Sequence, residues 1–172
     1  SFLIEITANS LRCRDEDGKP LLDKILDVAG QKGTGKWSAI AAMDENDPLT
    51  LITEAVYARL LSALYPERVK AASLYSGKLK VESGKLSDDS QLSTFNFQLS
   101  IDDVRQALYA AKLVSYAQGF SLLRRASEHY GWDLDYGTIA RIWRKGCIIR
   151  SVFLQKITDA YKENPGLENL LF

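Results

Sequence analysis

The stretch GQKGTGKW, residues 30 to 37, sets Gly30, Gly35 and Lys36 at the spacing of a phosphate-cradling loop, and adds Lys32 inside it. Glycines of this kind let a backbone approach an anion closely, and the lysines supply charge. Three kinds of chemistry fit: a nucleotide phosphate site, another anion site, or a glycine-rich turn with exposed lysines. The nucleotide version needs a strand before the loop and a Ser or Thr hydroxyl after its lysine to hold magnesium. Here LLDKILDVA precedes the loop with charges at helical intervals, Trp37 follows Lys36, and Ser38 comes one position too late.

A second cation sharpens the question. At 100° per residue Arg59 shares a helical stripe with Ile52, Val56 and Ala63, on a segment that is apolar around most of its circumference. The expectation is a guanidinium kept from water and therefore in need of an anion. Spacing alone leaves open whether that anion is a carboxylate of the chain or a ligand.

The rest of the composition restricts the alternatives. The chain has 172 residues, 46% of them hydrophobic, enough for one domain with its own core. Lys+Arg 22 against Asp+Glu 22 leaves no net charge, so no global field draws it to nucleic acid or to an acidic membrane. No apolar run approaches the roughly 18 residues of a membrane span. Cys13 and Cys147 are isolated, and His129 is the single histidine, so no metal cluster or Ser/His/Asp relay assembles. His129 reads as an ordinary residue near a helix end, and the chain as a reduced, cytoplasmic protein. Both ends fall within amphipathic or apolar patterns, which reads as a fragment of something longer.

The elements that must position the two cations are helical. Residues 1 to 14 carry apolar side chains at helical spacing, and DEDGKP breaks the pattern. A short helix is expected over Leu21 to Val28, ended by Gly30 in a left-handed cap. SAIAAM predicts another, and Asp47 followed by Pro48 predicts the cap and first turn of a helix that Pro66 closes. Residues 76 to 97 read as a polar surface loop with a small hairpin. Ser100, Asp102 and Asp103 then open a helix to about Tyr130, roughly 45 Å long. Its small residues Ala107, Ala110, Ala111, Ser115, Ala117 and Gly119 suit neighbours on several sides. YGTIARIWRK and RSVFLQKITDAYKE predict two further helices about Gly146, and PGLENLL begins a last one. The fold expected is all-α, a multi-helix domain built around one long central helix; the alternating strands and helices of a nucleotide-binding fold are absent.

GQKGTGKW with EAVYARLLS, then ALYAAKLVSYAQGFSLLRRAS, GWDLDYGTIARIWRKGCIIRSVFLQKI and NPGLENLLF, resemble the helical C-terminal domain of the 6-phosphogluconate dehydrogenases. The resemblance implies a helical substrate-binding and dimerisation domain over residues 1 to 172. It further implies oxidative decarboxylation of 6-phosphogluconate to ribulose 5-phosphate in the pentose phosphate pathway, by a homodimer that uses NADP and no metal. On it, Lys32 contacts the substrate and Arg59 its phosphate side, Trp37 packs, and Lys36 is a supporting charge. The family's catalytic lysine and glutamate, its dinucleotide-binding domain and the tail donated across the dimer have no counterpart in these 172 residues. No residue here inherits those roles, and Lys112, Lys156 and Glu128 are not substitutes. A non-enzymatic helical interaction module is the competing expectation.

Overall fold

A computed structural model of the chain describes residues 1–75 and 100–172. Among the described residues the fold is seven α-helices and no strand: α1 (Phe2–Arg12), α2 (Thr34–Asp44), α3 (Thr50–Ala63), α4 (Tyr65–Tyr75), α5 (Ile101–Tyr130), α6 (Tyr136–Trp143) and α7 (Phe153–Glu163). The surface loop and hairpin expected at residues 76 to 97 lie outside the described residues.

The long helix forms as its sequence dictates. The Ser100 hydroxyl accepts from the Asp103 amide at 3.1 Å, and the Asp103 carboxylate accepts from the Ser100 amide at 2.9 Å, a reciprocal cap with two acids in the first turn. Around its second half sits the core, in which Phe120 meets Ala140 of α6 and Leu154, Ile157 and Tyr161 of α7. The rings of Phe120 and Tyr161 lie 5.5 Å apart, and those of Phe120 and Trp143 5.6 Å apart. The first half is more open: Ala107, Ala110 and Ala111 are exposed and Tyr109 meets the Phe153 ring of α7 edge-on, so among the described residues the neighbours expected on several sides gather mainly about the stretch from Tyr116 to Ser127.

Four local expectations are corrected. Leu21–Lys24 is a single 3-10 turn rather than a helix to Val28, and Ile25 is already extended, with ψ 130°. Beyond it the Ala29 amide donates to the Ser62 hydroxyl and Arg68 donates to the Asp27 carbonyl, bonds that replace a helical ladder. Gly30 is not left-handed; Gly33 is, with φ 97°, and it is the residue from which α2 starts.

Asp47 does not cap α3. Its side chain is 1% exposed, and it accepts from the Ser121 hydroxyl at 2.7 Å with the Arg125 Nε at 3.5 Å, which ties the turn before α3 to α5. The free amide of Leu51 is capped instead by the Gln118 side-chain carbonyl, 67 residues away, while the Gln118 amide donates to the Thr50 hydroxyl. Helix α3 ends before Pro66 as expected, but Pro66 then sits in the first turn of α4, where no backbone donor is required. The last helix is absent: Asn164 and Asn169 side chains accept from the Gly166 and Leu171 amides, and the tail runs in turns.

Candidate anion site at the glycine-rich turn

Helix α2 packs against α3, and the glycine-rich turn lies where α2 begins. Gly35 makes that packing possible: a Cβ there would stand 2.7 Å from the Val56 Cγ2. Gly33 allows the turn itself, and the Trp37 ring folds back so that a Cβ on Gly33 would lie 3.3 Å from its Cζ2. Trp37 is therefore a cover over the turn, 63% exposed, rather than a core residue. The Ser38 hydroxyl is turned into its own helix, donating to the Thr34 carbonyl at 2.9 Å. That arrangement does not offer the magnesium ligand of a nucleotide-hydrolysing loop.

Arg59 is on α3 and exposed, which corrects the expectation of a guanidinium kept from water. The reason is that its neighbours cover α3 only in part: Tyr57, Leu60 and Leu61 are exposed as well, and none of its residues is buried. The Nε of Arg59 donates to the Gly30 carbonyl at 2.7 Å. Among the described residues Arg59 forms no ion pair with a carboxylate. A single neutral bond at Nε orients the guanidinium and leaves its outer edge to bind an anion in bidentate fashion. The structure thus joins Arg59 to the turn that carries Lys32, two residues beyond Gly30. Lys32 and Lys36 are both exposed and outside any ion pair among the described residues.

Sequence reasoning missed the residues that hold this turn. Arg68, on α4, donates from Nη1 to the Asp27 carboxylate at 2.9 Å and from Nη2 to the Asp27 carbonyl at 2.8 Å and the Ser62 carbonyl at 3.1 Å. The Arg68 hydrogen bond holds the Asp27 carboxyl below the usual carboxylate range and the guanidinium above its own ordinary value. The Ser62 hydroxyl accepts from Ala29 at 2.9 Å and donates to the Arg59 carbonyl at 2.9 Å. The spacing of Asp27 and Arg68, 41 residues apart, carries no local signal.

Other titratable groups lie elsewhere. His129, in the last turn of α5, bonds through Nδ1 to the Glu45 carboxylate at 2.8 Å and stacks on Tyr130, the structural role expected of it. Lys112 lines a 340 Å³ apolar cavity with Tyr116, Phe120 and Trp143, and a 710 Å³ cavity opens between Trp37, Glu45, Leu123 and Trp132; neither is lined by Lys32 or Arg59. With no strand leading into the glycine-rich turn, the described residues do not fit a dinucleotide cofactor.

The family model for the 6-phosphogluconate dehydrogenase C-terminal domain matches residues 1–172. The chain belongs to the 6-phosphogluconate dehydrogenase family. It is 56% identical over 173 residues to the decarboxylating 6-phosphogluconate dehydrogenase of Mus musculus, covering 99% of this chain and 33% of that protein. It is 55% identical over 172 residues to decarboxylating enzyme 1 of Saccharomyces cerevisiae, covering 100% of this chain and 33% of that protein. The chain spans about a third of the length of the curated relatives it matches. Among solved structures, Plasmodium falciparum 6-phosphogluconate dehydrogenase, described in its apo form and in complex with NADP+ and with its substrate 6-phosphogluconate, superposes with a TM-score of 0.80. That match has 41% identity and covers 99% of this chain and 35% of the other. The resemblance carried by the glycine-rich block and its companions extends over the whole chain, and the all-α fold agrees with it.

Proposed function

We propose that this chain is the helical part of an enzyme that oxidatively decarboxylates 6-phosphogluconate to ribulose 5-phosphate, and that its own task is to hold the substrate. Lys32 and the outer edge of Arg59 bind the sugar acid, Arg59 on the phosphate side. The observation that carries this is the bond from Arg59 Nε to the Gly30 carbonyl, which presents a charged fork beside the glycine-rich turn without an internal carboxylate to neutralise it. Identity of 55 to 56% to proteins named as the decarboxylating dehydrogenase favours this reading over a non-enzymatic interaction module.

NADP supplies the hydride acceptor, and it is bound by segments outside these residues, together with the general acid and base. What this chain contributes is therefore orientation: fixing the substrate anion converts a chance encounter of reactive carbon, base and coenzyme into a defined geometry. The exposed apolar residues Tyr57, Leu60 and Leu61 on α3 and Ile101, Val104 and Leu108 on α5 suit homodimer contacts in the cytoplasm. No helix among the described residues is long and apolar enough to cross a membrane.

The test uses the full-length protein that contains this chain. It is expected to reduce NADP when given 6-phosphogluconate and to release carbon dioxide in equal amount. Absence of both reactions, in a protein that is folded and binds NADP, would contradict the proposal.

A further inference from the structure

We infer that Arg68 is a positioning residue for substrate binding, acting through Asp27 and Ser62 to fix the Gly30 carbonyl that aims Arg59; this rests on the substrate-holding role proposed above for Arg59. The need for such a device follows from the backbone. Among the described residues, 29 to 32 take part in no hydrogen bond between backbone groups, so neither a helix nor a sheet holds them in place. Their described anchors are side chains of α3: Ser62 on the Ala29 amide and Arg59 on the Gly30 carbonyl.

Arg68 braces both ends of that connection at once. One guanidinium grips Asp27 by carboxylate and carbonyl, and with the same Nη2 it grips the Ser62 carbonyl at the end of α3. Ser62 in turn donates to the Arg59 carbonyl. The path from Arg68 to Arg59 is thus closed by hydrogen bonds on the segment side and on the helix side. A planar fork can span two directions in this way and an ammonium cannot. The Arg68 guanidinium also lies 5.5 Å from the centre of the Tyr65 ring, which limits its freedom to swing away. If this brace is released, the carbonyl that orients Arg59 moves, and the charged fork loses its aim while keeping its charge.

The inference separates from a merely structural role by a double-mutant cycle in the full-length enzyme, reading KM for 6-phosphogluconate, kcat and KM for NADP. Arg68→Ala is expected to raise the substrate KM roughly ten- to a hundredfold, the range for a misplaced positioning group, with a smaller effect on kcat and none on the NADP KM. Arg68→Lys is expected to recover part of the loss. In an Arg59→Ala background, Arg68→Ala is expected to add little, because the group it positions is already gone. Asp27→Asn opens the same brace from its exposed end and serves if Arg68→Ala does not fold. A substrate KM unchanged by both Arg68→Ala and Asp27→Asn overturns the inference. So does an Arg68→Ala effect of equal factor with and without Arg59, while Arg59→Ala alone raising KM would leave the proposed function standing. Arg59→Ala alone leaving KM unchanged would instead remove the substrate contact itself, and with it the last link of the brace.

Discussion

At the scale of single residues, the account turns on where two cations spend their hydrogen bonds. Arg59 uses Nε on the Gly30 carbonyl and, among the described residues, the rest of its fork enters no ion pair. A charge-assisted hydrogen bond contributes about 1.5 to 3 kcal/mol, so Lys32→Ala and Arg59→Ala in the full-length protein are each expected to raise KM for 6-phosphogluconate roughly ten- to a hundredfold. Steady-state kinetics with either variant at unchanged KM would remove that residue from the site. Both stand out in the sequence, Lys32 by its glycine-rich setting and Arg59 by its stripe on an apolar helix, while their role at the substrate is what the family resemblance implies. What the stripe misjudged was burial, because periodicity shows which residues share a face and not whether another element covers it. Arg68, Asp27 and Ser62 were invisible for a different reason: they meet only once α3 and α4 have folded back on the segment before α2.

At the scale of elements, helix α2 and helix α3 are coupled through the missing side chain of Gly35. Gly35→Ala would put a Cβ within 2.7 Å of the Val56 Cγ2, and the expected result is a destabilisation of about 1 to 3 kcal/mol, the usual cost of overpacking. Val56→Ala in the same protein should relieve most of it. Denaturant unfolding of the two single variants and the double variant checks this; equal destabilisation by Gly35→Ala with and without Val56 would show that the contact is not the cause. Helix α5 was readable because its start signal is local, with Ser100 as a cap accepting from the Asp103 amide. The start of α3 was not, since its cap is Gln118 from α5 and Asp47 is spent on Ser121 and Arg125. Nor was the tail, where asparagine side chains compete for the amides that a helix would need.

At the scale of the whole molecule, the core between α5, α6 and α7 has a pH signature. Burial pushes the Tyr161 hydroxyl up to about 12, with the neighbouring Tyr136 adding to it. The folded value lies above the unfolded one, so the contribution of Tyr161 is complete below pH 10 and is lost as pH rises toward 12. Thermal melting followed over that window is expected to fall less steeply for Tyr161→Phe than for the unsubstituted protein; identical slopes would show that this hydroxyl is not the group responsible. The binding site also has a molecular-scale limit. Two charge-assisted bonds give about 3 to 6 kcal/mol, below the roughly 8 kcal/mol of micromolar binding, so residues 1–172 alone should bind 6-phosphogluconate more weakly than micromolar and turn over nothing. The most direct test of the central claim is calorimetry on the full-length protein and its Arg59→Ala variant with each ligand in turn. The account predicts that the variant loses roughly ten- to a hundredfold in affinity for 6-phosphogluconate and keeps its affinity for NADP; equal affinity of the two proteins for 6-phosphogluconate would contradict it.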